Sequence, residues 1–203
     1  MRAGGGTRIF DNACGVNATA FLLASAGLDL TGTDLNDQAS PDGELPSEAW
    51  SHVDTKKFQG SMRFQTADSL ALPFSDGEFD ASYSISSLEH MPDPVQAVKE
   101  MIRVTRSGGL ITFTMDVSPL SSPVEGESNV NLTNFSDIQD VLQATCSFFA
   151  PPRFDVPDDV LSWHGSQRDR TALHGLLKLI RRHFADSKKD RNFYIFCGSY
   201  IKR

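Results

Sequence analysis

Two hydrophobic periods take turns along the chain. Leu28–Thr33, Met62–Thr66, Phe79–Ser84 and Leu110–Met115 are short runs rich in β-branched and aromatic residues, which predicts strands. Ile9 and Phe10 close an earlier run that begins near Thr7. Between the runs the period lengthens. Ala18–Ala26 is a string of good helix formers carrying Leu22 and Leu23, and Gly27 stops it, because glycine accepts the left-handed conformation at a helix end. Val95, Val98, Met101, Ile102 and Thr105 recur at helical spacing behind a capping Asp93 and a first-turn Pro94. Ser107-Gly108-Gly109 ends that helix.

The rest is less regular. Asn36–Gly60 is polar, with Pro41 and Pro46, and predicts a surface excursion with a short helix at Ser47–Val53. Asp116–Thr133 contains Pro119, Pro123 and Gly126 and is long enough to cover a site. Asn134–Phe148 predicts a helix with Phe135, Ile138, Val141, Leu142 and Thr145 on one face, and Phe148–Phe154 a strand interrupted by Pro151 and Pro152. Ala172–Phe184 is amphipathic, and Asn192–Ile201 predicts a final strand. Strands alternating with helices at this spacing give an α/β chain: a doubly wound, mainly parallel sheet with helices on both faces. Ligands of such sheets bind beyond the carboxyl ends of the strands.

One stretch at those ends carries chemistry. Asp11-Asn12-Ala13-Cys14-Gly15-Val16-Asn17 is a small, turn-prone loop between the first strand and the first helix. Small residues allow close approach of the backbone to a ligand, and the helix start offers free N–H groups. Asp34 closes the second strand, where an acid can accept from both hydroxyls of a ribose. The unit suits a nucleoside-containing ligand; the ordinary alternative is a glycine-containing turn.

Composition narrows the class. The 203 residues fit one domain, 1–203, able to bury about 70% of its unfolded surface. No apolar run of about 18 residues exists, so no membrane span is expected, and the N-terminus lacks the apolar core of a signal peptide. Cys14, Cys146 and Cys197 are odd in number and far apart, which fits a reducing cytoplasm and neither a disulfide framework nor a zinc site. The net charge of −7 divides into +7 over residues 168–203 and −14 over the remainder. Arg168, Arg170, Lys178, Arg181 and Arg182 could meet an anionic group on a substrate or form a solvated face.

The run ADSLALPFSDGEFDASYSISSLEHMPDPVQAVKEMIRVTRSGGLITFTMD, with DNACGVN before it, resembles the class I S-adenosylmethionine-dependent methyltransferases that act on small molecules. The order A-D, L-P-F, F-D, H-M-x-D and R-x-G-G carries the resemblance, over about Arg8–Met115. It implies a Rossmann-like seven-stranded sheet whose last strand is antiparallel. It implies S-adenosyl-L-methionine as cofactor and S-adenosyl-L-homocysteine as product. Asp11, Ala13, Cys14, Gly15 and Asn17 would line the methionine end and sugar, Asp34 would hold the ribose, and Leu35 would pack on the adenine. Ala67, Asp68 and Ser69 would sit at the adenine amino group, with Ser84 and Ile85 touching the cofactor from the fourth strand. Residues 7–116 would form the cofactor part and 117–203 the acceptor side. Ala13 and Asn17 stand where the family usually has glycine, and the helices that usually roof the site ahead of the first strand are missing. Either the insert regions supply that roof or the chain is a truncated form.

Methyl transfer is an in-line displacement, so positioning does much of the work. A hydroxyl acceptor also benefits from a base of near-neutral pKa, and His90 is the candidate; the alternative is that His90 packs near the cofactor and orders its loop. Glu89 is expected to face solvent, the alternative being a second polar wall of the site, and Cys14 to be a small buried filler. Asp116, His90 and Glu89 could converge, but nothing in the spacing requires a metal. His164 and His174 are further candidates for the base, and Phe148–Trp163 for an acceptor wall. The expected function is O-methylation of a small polar or sugar-like acceptor. Two alternatives remain: a non-catalytic cofactor-binding module that works through a partner chain, and an RNA methyltransferase using the basic tail. The acidic body argues against nucleic acid. A homo-oligomer is left open.

Overall fold

The computed structural model describes residues 6–15, 18–35, 54–117, 130, 132–149 and 194–203. These build a seven-stranded sheet: β1 (Arg8–Asn12), β2 (Asp29–Asp34), β3 (Met62–Thr66), β4 (Phe79–Ile85), β5 (Thr105–Val117), β6 (Cys146–Phe148) and β7 (Tyr194–Lys202). Helices α1 (Ala18–Ser25), α2 (Pro94–Val104) and α3 (Leu132–Thr145) connect them, with short 3-10 turns at Thr55–Lys57 and Leu88–His90. The spatial order is β3-β2-β1-β4-β5-β7-β6. Pairing is parallel from β3 through β5, and β7 runs antiparallel to both β5 and β6. The expected mainly parallel sheet with an antiparallel last strand is what forms.

The two faces of the sheet are filled differently. Along β5 every second residue, Ile111, Phe113, Met115 and Val117, is buried in the larger core. Phe10, Phe79, Leu88 and the apolar side of α2 and α3 complete that core. Ile9, Leu30, Tyr83 and Ala24 form a smaller cluster on the α1 side. The Asp93 side chain accepts from the Gln96 amide at 2.9 Å with Pro94 behind it, so α2 begins where its cap predicts.

The segment between β3 and β4 is pinned by one side chain. Arg103 donates twice to the Glu100 carboxylate, at 2.8 Å each. It also donates to the carbonyls of Leu72 at 2.9 Å and Phe74 at 2.7 Å, and to Asp76 at 2.9 Å. Glu100 accepts in addition from the Leu72 amide at 2.8 Å. This holds Phe74 against Phe10 and Phe79, with ring centroids 5.4 and 5.0 Å apart. The neighbouring Asp80 accepts from the Arg8 amide at 2.9 Å and from Arg106 at 2.8 Å, and those bonds hold its carboxyl below the usual range.

Two expectations shift. The helix expected over Asn134–Phe148 ends at Thr145, and Cys146–Phe148 forms β6 instead; most of the strand expected over Phe148–Phe154 lies outside the described residues. The pairing of Phe148 with Tyr200, rings 5.1 Å apart, decides that register. β5 starts at Thr105, which pairs with Phe79 directly after α2. Pairing then jumps to Leu110 opposite Ala81, so Arg106–Gly109 is a bulge inside the strand and not a connection before it. A side chain at Gly109 would meet the Asp80 carbonyl at 2.7 Å, which explains the glycine at this close approach. The helices expected at Ser47–Val53 and Ala172–Phe184 lie outside the described residues.

Arg103→Ala leaves Glu100, 9% exposed, without its ion pair and frees two carbonyls. A loss of about 2–3 kcal/mol is expected. Urea unfolding checks it: the midpoint falls while the slope stays constant.

Candidate active site

β1, β2 and β4 end side by side, and the loop after β1 is tied to both neighbours. The Cys14 amide donates to the Thr33 carbonyl at 2.8 Å, and the Gly15 amide to Asp34 Oδ2 at 2.7 Å. On the other side, Ser84 Oγ donates to the Asn12 carbonyl at 3.2 Å and Ser87 Oγ to the Ala13 carbonyl at 3.1 Å. The backbone tightens to allow this: Ala13 sits at φ +52° and Gly15 at φ +47°. A Cβ placed on Gly15 has no heavy atom of the described residues within 4 Å, so space opens beside the loop among them.

Below the loop lies a buried polar cluster. Asp11 and Asn12 are fully buried, as is Thr33. Tyr83 donates to Asp11 Oδ2 at 2.6 Å. Among the described residues, Asp11 Oδ1, both polar atoms of the Asn12 amide and Thr33 Oγ1 have no hydrogen-bond partner. Burial pushes the Asp11 carboxyl up to about 7, against the Tyr83 hydrogen bond, with a smaller upward push from Asp34. Cys14 is 2% exposed, as a buried filler should be; burial first, then Asp11 and Asp34, drive its thiol pKa upward.

The adenine-side candidates flank Asp34. The Ala67 amide donates to the Asp34 carbonyl at 3.1 Å, which sets Ala67, Asp68 and Ser69 beside the tip of β2. Ala67 and Ser69 are buried, whereas Asp68 is exposed and accepts from the Leu70 amide at 2.9 Å. Leu35 and Ile85 are exposed large apolar side chains, 51% and 40%. Ser84 is fully buried under the loop. Asn17 lies outside the described residues, as do His164 and His174.

The Leu88–His90 turn reverses one expectation. Glu89 is 2% exposed and does not face solvent. Burial raises its carboxyl, the Asp116 amide donates to it, and its Oε2 has no partner. The turn packs against β5 and α2, and that packing carries Glu89 inward. His90 is exposed, and its amide donates to the Ser87 carbonyl at 3.0 Å. Tyr83 and Ser87, which tie Asp11 and the loop, were not singled out in the sequence. The alternation in β4 was the available signal: it puts Tyr83 on the face opposite that of Ser82 and Ser84. A cavity of about 390 Å³ lies elsewhere, between the starts of α2 and α3, lined by Asp93, Val95, Asn134 and Asp137. Among the described residues no group of three or more His, Cys, Asp or Glu is placed to hold a metal ion.

Ala13 holds a left-handed conformation that costs a non-glycine residue on the order of 1–2 kcal/mol. Ala13→Gly removes that strain against a smaller loss of backbone entropy, so a net gain of about 0.5–1 kcal/mol is expected. For a chain of this size thermal unfolding should shift upward by about 1–4 °C.

A family profile described as a methyltransferase domain matches residues 10–113, just over half of the chain. The chain is 32% identical over 158 residues to a tocopherol O-methyltransferase, chloroplastic, of Arabidopsis thaliana, covering 76% of this chain and 41% of that one. It is 25% identical over 186 residues to the O-methyltransferase resE of Aspergillus sclerotiorum, covering 79% and 68%. It therefore spans about two fifths of the length of the plant relative. Among solved structures, a geranyl diphosphate C-methyltransferase of Streptomyces coelicolor, in complex with magnesium, geranyl diphosphate and S-adenosyl-L-homocysteine, superposes with a TM-score of 0.63 at 14% identity, covering 100% of this chain and 74% of that one. At that identity the likeness concerns the fold alone. With the strand order, the loop pinned to Asp34 and the profile match in agreement, the chain belongs to the methyltransferase-domain family.

Proposed function

We propose that the chain is an S-adenosylmethionine-dependent methyltransferase that methylates a hydroxyl of a small polar or sugar-like acceptor. The observation that carries the reading is the 2.7 Å bond from the Gly15 amide to the Asp34 carboxylate. It fixes the acid at the mouth of a loop with open space beside Gly15, where a ribose can bind. The unpartnered polar atoms of Asp11, Asn12 and Thr33 fit a ligand whose other end is polar and charged.

Each residue then has a part. Asp34 accepts from the ribose hydroxyls, and Leu35 and Ile85 offer exposed apolar surface to the adenine. Asp68 accepts from the adenine amino group, with Ala67 and Ser69 shaping that wall. Asp11, Ala13, Cys14, Gly15 and Asn17 line the methionine end. Ser84 acts through the loop, by its bond to the Asn12 carbonyl. The bound sulfonium supplies an electrophilic methyl group, and S-adenosyl-L-homocysteine is the product; the protein supplies alignment. His90 is the only histidine among the described residues. We assign it the acceptor's proton, as general base. Relatives named O-methyltransferases support oxygen as the methylated atom. Residues 1–203 act as one domain, 7–116 for the cofactor and 117–203 for the acceptor. The free thiols Cys14, Cys146 and Cys197 support a cytoplasmic setting. No described helix is long and apolar enough to cross a membrane.

Calorimetry with S-adenosylhomocysteine tests the cofactor. Micromolar binding is expected, with a loss of at least about tenfold in Asp34→Ala and a smaller loss in Asp34→Asn, in line with the worth of hydrogen bonds to a charged group. Normal binding by Asp34→Ala would overturn the site. With an acceptor found by transfer of labelled methyl, His90→Ala should lower kcat by about a hundredfold or more and leave S-adenosylhomocysteine affinity unchanged. An unchanged kcat removes His90 from the role.

A further inference from the structure

Tyr83 belongs to none of the motifs that carry the family resemblance, yet it makes the shortest side-chain contact below the cofactor loop. It stands directly opposite Asp11 in the β1–β4 register, and its hydroxyl donates to Asp11 Oδ2 at 2.6 Å. That length lies within the range of bonds from a hydroxyl to an ionised carboxylate. The ring has little freedom to leave: Tyr83 is 8% exposed and packs with Ile9, Leu30 and Ala24. Asp11 is fully buried and its second oxygen, Oδ1, has no partner. A buried carboxylate with one oxygen satisfied and one bare is poised for a donor that arrives with the ligand, and a cationic donor compensates it best.

We propose that Tyr83 is a positioning residue of the cofactor site: it pins one oxygen of Asp11 so that the other receives the ammonium group of the cofactor's amino-acid end. The inference rests on the S-adenosylmethionine reading above. It assigns to a β4 residue outside the loop the task of holding the carboxylate in its charged, binding-competent form.

Ionisation makes the role measurable. The groups that face Asp11 are Tyr83 from β4, Asp34 from β2 and Cys14 from the loop; α1 carries no ionisable side chain. Burial pushes Asp11 up to about 7, and the Tyr83 bond is the one that lowers it. Removing the phenol hydroxyl therefore raises the Asp11 pKa further and leaves the carboxyl more protonated at neutral pH. Protonated Asp11 attracts an ammonium group weakly, so binding should recover as pH rises.

The test is S-adenosylhomocysteine binding by the full chain and by Tyr83→Phe, measured by calorimetry between pH 6 and 8.5. The ratio of the two affinities is read at each pH, which cancels the ligand's own titration. If the pKa rises by one unit, Tyr83→Phe binds about fivefold more weakly at pH 7 and less than twofold more weakly at pH 8.5. In an Asp11→Asn background, Tyr83→Phe should add no pH-dependent loss. The Asp11 carboxyl resonance, followed by carbon NMR without ligand, should titrate at higher pH in Tyr83→Phe. A ratio constant with pH, or an Asp11 titration that does not move while the parent chain binds normally, overturns the Tyr83 assignment and leaves the cofactor reading standing. Absence of binding by the parent chain at every pH overturns both.

Discussion

The parallel register of β1 on β2 governs the site. Arg8 faces Asp29 at one end and Asn12 faces Thr33 at the other, so both strands finish within a residue of each other. Only then can the loop turn back: the Cys14 amide reaches the Thr33 carbonyl, and the Gly15 amide reaches the Asp34 side chain. A slip of one residue would turn Asp11 toward the larger core and Phe10 toward α1, since side chains alternate along a strand. The aromatic contacts of Phe10 with Phe74 and Phe79 oppose that slip, so core packing on one face sets the chemistry on the other.

The same constraint explains which parts were legible in the sequence. The βαβ unit was readable because each step is local: a β-branched run, a helix former run, a glycine stop, an acid at a tip. The Asp93-Pro94 start of α2 was readable for the same reason. What the sequence hid depends on partners far along the chain. Glu89 was expected in solvent because a lone acid usually stays there. Its burial follows from the packing of its short turn on β5 and α2, which no local pattern reports. The β6 register likewise depends on Tyr200, more than fifty residues later. The Tyr83–Asp11 pair spans 72 positions and appears only once β1 and β4 are laid side by side.

The polar cluster under the loop works against stability. Unpartnered buried atoms on Asp11, Asn12 and Thr33 each cost on the order of 1–3 kcal/mol of desolvation. The left-handed Ala13 adds strain at the same spot. Such unfavourable features persist when the surrounding structure holds them, and here the bonds from Ser84 and Ser87 to the loop carbonyls do so. A ligand that brings donors to these atoms would relieve the cost and stabilise the fold by linkage.

The motifs that carry the resemblance divide between two ends of the sheet. Asp34, Asp68 and the loop after β1 lie at the carboxyl ends, the end at which sheets of this kind bind ligands. Leu72, Phe74, Asp80 and Arg106 do not touch that end. Leu72 and Phe74 give carbonyls to Arg103, while Asp80 joins Arg106 to the start of β1. Much of what makes the sequence recognisable therefore preserves the register and not the acceptor. Those residues can stay the same whatever the acceptor, because they tie the strands to one another and to the chain before β4. The profile match over residues 10–113 spans both the loop at the strand ends and these structural ties. Fold and register are thus carried by one set of residues, and such ties say nothing by themselves about which acceptor is used.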